Sequence, residues 1–191
     1  DLRLGNTTVQ AVLESADVPL AFAEFLPPAT LDAINAERAW LEPRFARETG
    51  PGIWHGMFSF HSYVVRTPRH TILVDSCIGN DKPRPLRPKW NMKTDDTYMK
   101  ALAAAGFSVN DIDYVMCTHL HVDHVGWNTR LVDGRWVPTF PKARYVFSAA
   151  ELAFWTDKHK TDAATVPWIT DSVLPIVAAN KVELVRNDHQ L

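Results

Sequence analysis

Thr118-His119-Leu120-His121-Val122-Asp123-His124-Val125-Gly126 places four potential metal ligands, His119, His121, Asp123 and His124, within six positions of one another. On an extended backbone residues i and i+2 share a face, so His119 and His121 can aim their imidazoles at one point. A tight turn after them can carry Asp123 and His124 to a second point a few ångströms away. Neutral imidazole with carboxylate is a donor set that suits zinc and also accommodates iron, manganese or cobalt. Gly126 closes the loop, where a small residue lets the backbone pass close to the metal site.

Working outward, Tyr114-Val115-Met116-Cys117 is a short apolar run that reads as a buried strand leading into the cluster. A helix is predicted from Thr94-Asp95-Asp96 through Tyr98, Met99, Leu102 and Ala105, with Gly106 as its C-terminal cap. Helix, buried strand and polar loop in that order indicate α/β architecture, in which sites lie beyond the carboxyl ends of strands. Further upstream, alternation from Met57 to Val65 and the run Thr71 to Asp75 predict an antiparallel hairpin turning at Thr67-Pro68-Arg69-His70. Gly79 to Lys89 reads as a loop.

Downstream, Leu131 to Val137 predicts a small hairpin around Asp133-Gly134, and Ala143 to Phe147 a strand. Ser148-Ala149-Ala150-Glu151 has the form of a capping box, with Ser148 and Glu151 satisfying each other's free N–H groups, opening a helix through Trp155. A second helix is predicted over Thr165 to Ala179, with Pro167 in its first turn, a bend at Pro175 and Asn180 as cap, followed by a strand at Val182 to Val185. Residues 1 to 50 are mixed: a short strand at Val9 to Leu13, a loop at Pro27-Pro28, and one helix from Thr30 to before Pro43. That segment reads as an N-terminal extension, a lid or an oligomer contact. Residues 51–191 read as the N-terminal part of the main domain.

Composition narrows the function. The chain has 191 residues, 46% apolar and 22% charged, with a formal net charge of -2 and no basic run. The electrostatic footprint of a nucleic-acid binder is missing, which points to a small-molecule substrate. No stretch approaches the roughly 20 apolar residues that span a bilayer, and Asp1 to Asn6 show neither a basic n-region nor a following apolar h-region. Two cysteines, Cys77 and Cys117, lie in apolar stretches and do not make a disulfide framework, so a reducing, cytoplasmic compartment is expected.

The run from Tyr114 to Gly126, with Leu73-Val74-Asp75 before it, resembles the metallo-β-lactamase superfamily, whose signature is H-x-H-x-D-H. The Thr118 to Trp127 stretch and the aromatic-rich Ala149 to Trp155 segment are similar to its branch of acyl-homoserine lactonases and methyl parathion hydrolase. The resemblance covers roughly residues 55 to 191. It implies an αββα sandwich, with His119 and His121 ligating a first metal and Asp123 and His124 a second, most simply two zinc ions. It also implies that Asp75, at a strand end, supports the metal loop by hydrogen bonding without being a ligand; read on its own, Asp75 is equally a turn residue.

The family completes its site with a third histidine, usually in an H-x-x-G-H-like segment, then a bridging aspartate and a final histidine. Downstream of His124 this chain offers only His159 and His189, both read as bystanders, so the C-terminal part of the domain is expected to lie outside it. The implied activity is hydrolysis of a small ester, lactone or phosphotriester by a metal-bound hydroxide, active only in a longer chain. Asp123 has a second candidate role, carrying a proton to the leaving group. Three other readings stay open: an iron dioxygenase-type metalloenzyme, a nuclease disfavoured by the charge, and a non-catalytic binding protein. No substrate-binding residue is identified. Of the aromatic residues Trp54, Phe58, Phe60, Trp90, Trp127, Trp136 and Trp155, most are expected to fill the core rather than wall a pocket.

Overall fold

The structure, a computed structural model, describes residues 1–186 and 189. In chain order its elements are β1 (Leu2–Leu4), β2 (Thr7–Ala21), α1 (Phe22–Phe25), α2 (Leu31–Ala36), α3 (Arg38–Leu41), β3 (Ala46–Gly50), β4 (Ile53–Arg66) and β5 (Thr71–Val74). There follow α4 (Thr97–Ala104), β6 (Tyr114–Met116), β7 (Thr129–Val132), β8 (Arg135–Pro138), β9 (Arg144–Ser148), α5 (Ala149–Asp162), α6 (Leu174–Ala178) and β10 (Val182–Val185). One mixed sheet has the order β1-β2-β4-β5-β6-β9-β10, with β3 paired to β4; β7 and β8 form a separate hairpin. Its turn residues Asp133 and Gly134 both have positive φ, as a two-residue hairpin turn requires.

Contacts divide the chain into two compact units, residues 1–14 with 61–191, and residues 15–60. In the larger unit, hairpin register places Val64 opposite Leu73, and parallel pairing continues the row through Val115, Tyr145 and Val182. The first four are fully buried, and Val182 packs against them. Because side chains alternate along strands, this one row commits a face of the sheet to the core. Tyr98 and Leu102 of α4, with Val166, Ile169, Val173 and Ile176, complete it. Among the described residues no helix is long and apolar enough to cross a membrane.

Two expectations need correction. The helix read over 165–179 contains a π-helical stretch, Ile169–Val173, before α6. Pro175 has no N–H to return four residues back, so the Asp171 carbonyl receives no i+4 bond. It accepts instead from the Thr129 hydroxyl and, at 3.4 Å, from Lys82 Nζ. In the smaller unit, the single helix read after Thr30 is two short ones, α2 and α3, separated at Glu37. Thr30 does cap the first, its hydroxyl accepting from Ala33 N at 3.2 Å. Ile34, Ala46 and Trp54 form this unit's own small core.

Candidate metal centre

Strands β5, β6 and β9 are mutually parallel, so their carboxyl ends lie on one side of the sheet. Asp75 follows β5, the Thr118–His124 loop follows β6, and Ser148 ends β9 with Ala149 to Glu151 after it. The topology therefore gathers three distant segments at the edge where α/β sites form.

Asp75 stands in the left-handed region, φ 58°, a conformation that aspartate tolerates better than most residues. From there its Oδ1 accepts the Thr118 backbone N–H at 2.8 Å and its Oδ2 accepts His124 Nδ1 at 2.8 Å. The Thr118 hydroxyl donates to the same carboxylate at 2.9 Å and lies 3.1 Å from His119 Nδ1. With Nδ1 of His119 and His124 engaged outward, each ring keeps Nε2 for the interior of the loop. His119 Nε2 is 2.9 Å from His121 Nδ1, the His119 and His124 ring centroids are 4.0 Å apart, and His124 Nε2 is 3.7 Å from Asp123 Oδ2. His121 is exposed; His119, Asp123 and His124 are half-buried.

These surroundings split the histidines. Burial, then the neighbouring His124 and His121, lowers the His119 pKa and keeps the ring neutral, the form that can ligate. Burial also acts to lower His124, but its hydrogen bond to Asp75 and the Asp75 charge prevail and raise it.

Two nitrogens bound to one zinc at ordinary lengths and a tetrahedral angle lie about 3.3 Å apart, close to the 2.9 Å His119–His121 approach. The donor chemistry of the four residues thus fits a zinc-type ion. The count does not close a shell: among the described residues no group of three or more His, Cys, Asp or Glu is arranged to hold a metal ion. The donors meet in pairs.

Behind the loop, Gly126 does something other than admit the backbone to the metal. A Cβ there would lie 1.9 Å from the Ile78 carbonyl carbon, so glycine permits the 126 and 78–79 backbones to touch. Gly126 N donates to Cys77 O at 2.8 Å and Trp127 N to Ser76 O at 2.7 Å. Glu14, buried on β2, accepts from Ile78 N (2.7 Å), Gly79 N (3.1 Å), Trp127 Nε1 (2.7 Å) and Lys93 Nζ (3.1 Å). Asn128, also buried, accepts the Ser76 hydroxyl at 2.8 Å, and its carbonyl accepts Tyr145 Oη at 3.0 Å. Nothing local marks Glu14 or Asn128 in the sequence, because their partners are remote.

The capping box is also half as expected. Ser148 accepts from Glu151 N at 3.5 Å, but the Glu151 carboxylate turns to Leu120 N and Trp155 Nε1, both at 2.9 Å. Among the aromatic residues, Trp54, Phe60, Trp90 and Trp127 are buried, whereas Trp155 stands edge-on to His121 at 5.1 Å between centroids. His159 meets Thr170 Oγ1 at 2.7 Å and His189 lies 3.5 Å from Glu183, each away from the cluster residues. Cys77 and Cys117 are free, buried thiols, their pKa raised chiefly by burial.

A cavity of about 280 Å³ adjoins the loop through Val122 and is walled by Arg84, Leu86, Arg87, Thr165 and Trp168. A larger open groove of about 850 Å³, between Arg3, Gln10, Arg66 and Phe107, contains none of the cluster residues.

Residues 56–190 match the metallo-β-lactamase superfamily, and the chain belongs to it. Three solved structures share the fold. A probable metal-dependent hydrolase from Staphylococcus aureus is 17% identical with a TM-score of 0.72, the match covering 99% of this chain and 62% of that one. The hydrolase AbOPH of the β-lactamase superfamily is 19% identical, TM-score 0.67, covering 100% and 61%. AidC, a dizinc quorum-quenching lactonase solved with N-hexanoyl-L-homoserine product, is 17% identical, TM-score 0.63, covering 100% and 62%. The chain thus spans about three-fifths of these proteins. No curated protein sequence matches it.

Proposed function

We propose that these residues form the first part of the active site of a metal-dependent hydrolase acting on a small ester, lactone or phosphotriester. The observation that carries this reading is the inward meeting of His119 Nε2 and His121 Nδ1, beside His124 and Asp123, at the carboxyl ends of three parallel strands. His119 and His121 would hold one zinc ion, and Asp123 and His124 a second. When bound, such ions supply Lewis acidity, lowering the pKa of a water and polarising the substrate's oxygen.

The chain's own residues do the rest. Asp75 fixes the ring orientation of His124 and, through Thr118, that of His119. Asp123 would carry a proton to the leaving group. The cavity against Val122 is large enough for a small substrate and has mainly apolar walls. The buried free thiols suit a reducing, cytoplasmic compartment. A complete two-metal site needs further donors besides these four.

The test is zinc content and turnover of lactone, aryl ester and phosphotriester substrates by the full-length protein and its His121→Ala and Asp123→Ala variants. Loss of metal and turnover together is expected. Turnover surviving His121→Ala with normal metal content would overturn the assignment, and oxygen consumption in place of hydrolysis would identify a dioxygenase.

A further inference from the structure

Leu120 sits between the two leading histidines with its side chain fully buried in the core. Strand β6 ends at Met116, so the backbone of Leu120 has no ladder to bond with, yet buried peptide groups must find partners. Both partners are side chains from the segment after β9. The Leu120 N–H donates to Glu151 Oε2 at 2.9 Å, and the Leu120 carbonyl accepts Trp168 Nε1 at 2.8 Å. The same Glu151 oxygen accepts Trp155 Nε1 at 2.9 Å. Trp155 in turn meets Trp168 at 5.3 Å and the His121 ring at 5.1 Å between centroids, both edge-on.

We infer that Glu151 and Trp168 are positioning residues for the metal loop, a clamp on the two peptide groups of Leu120 that sets how His119 and His121 point. The peptide plane before Leu120 carries the His119 carbonyl, and the plane after it carries the His121 N–H. Pinning one plane through its N–H and the other through its C=O fixes the rotation of both. Those rotations determine the Cα–Cβ directions of the two histidines and hold His119 Nε2 and His121 Nδ1 at their 2.9 Å approach. Trp155, held by the same carboxylate, backs the His121 ring. The bonds described join Glu151 and Trp168 to Leu120 and Trp155, not to a histidine ring nitrogen. Their effect passes through Leu120.

The inference rests on the reading of His119 and His121 as ligands, and the experiment separates the two. Zinc alone is titrated into the full-length protein against a chelating dye, comparing wild type, His121→Ala, Glu151→Ala, Glu151→Gln and Trp168→Phe. Thermal midpoints and Leu120 amide exchange are measured on the metal-free proteins. Glu151→Ala is expected to weaken zinc binding about 10–100-fold, as loss of an orienting partner does. Glu151→Gln, whose side-chain oxygen can accept the same two N–H groups, recovers most of it. Trp168→Phe keeps a smaller aromatic ring, loses the donor and weakens binding about tenfold, while its midpoint moves little.

Zinc affinity within twofold of wild type in both Glu151→Ala and Trp168→Phe would overturn the clamp. If wild type takes up no zinc, or His121→Ala binds as wild type does, the ligand assignment fails. The clamp is then judged on the metal-free chain alone. Faster Leu120 exchange and shifted His121 ring resonances in Glu151→Ala support it, and unchanged ones refute it.

Discussion

Asp75 and His124, 49 residues apart in sequence, meet through a 2.8 Å contact between Oδ2 and Nδ1. It is made while the other Asp75 oxygen holds the Thr118 backbone N–H at 2.8 Å. One carboxylate at the end of β5 thus ties down both ends of the Thr118–His124 loop.

Asp75→Asn keeps a residue that tolerates positive φ but removes the charge. Burial then acts on His124 with only the Asp123 charge opposing it, so the His124 pKa is expected to fall, read by NMR titration of the metal-free protein. The sign for stability follows. A histidine with a raised folded pKa contributes stability below its unfolded pKa of about 6.5, and that stability is lost as pH rises through the folded value. Asp75→Asn should therefore destabilise the metal-free protein more at pH 5 than at pH 8. Equal loss at both would break the link.

Lys82 offers a second pH dependence, independent of the metal loop. It is fully buried, with Nζ 2.6 Å from Thr129 Oγ1 and 3.7 Å from the Trp136 ring centroid. Asp171 is 3.7 Å away but is engaged by Arg84, at 2.6 and 2.8 Å through two nitrogens. Burial pulls the Lys82 pKa down to about 7, with Asp171 opposing and Arg84 assisting. Between that value and the unfolded pKa near 10.5, the unfolded chain binds the extra proton, so this group's contribution to stability rises with pH. The melting temperature of wild type should climb relative to Lys82→Met between pH 6 and 9. A constant difference would show that the ammonium stays charged.

Gly126→Ala is expected to be among the most damaging single-methyl changes in the protein. The new Cβ would overlap backbone, not a side chain that could swing away, at 1.9 Å from Ile78 C. A loss of several kcal/mol, or failure to fold, should appear in urea denaturation. Gly134→Ala makes a useful contrast: nothing lies within 4 Å, so only its φ of +74° opposes the methyl, and the loss should be smaller.

Glu14→Ala removes a buried acceptor from four donors at once. Lys93, Trp127 and the 78–79 backbone would be left to find other partners, at a cost of about 3–5 kcal/mol. Glu14→Gln retains an acceptor and should recover part of it, measured by the same denaturation. A variant of wild-type stability would show that water replaces the carboxylate freely.

The sequence by itself determined the donor set of the Thr118–His124 loop and the local elements around it. H-x-H-x-D-H is a local pattern, and so are the hairpins at Thr67–His70 and Asp133–Gly134, because neighbours in sequence supply the whole signal. Even the superfamily followed from Tyr114 to Gly126. Tertiary structure decided what those residues lean on. Glu151 reads locally as half of a capping box, but parallel pairing of β6 with β9 brings it to Leu120, where an unpaired buried N–H is the stronger claim on its carboxylate. Pro175 reads as a bend, but Lys82 and Thr129 make the π-helical turn workable by taking the carbonyl it frees. Gly126 reads as room for a metal, and is room for another strand of backbone. In each case the residue's partner lies tens of positions away. The physical reason is that polar groups carried into a core bond with whatever the fold places there.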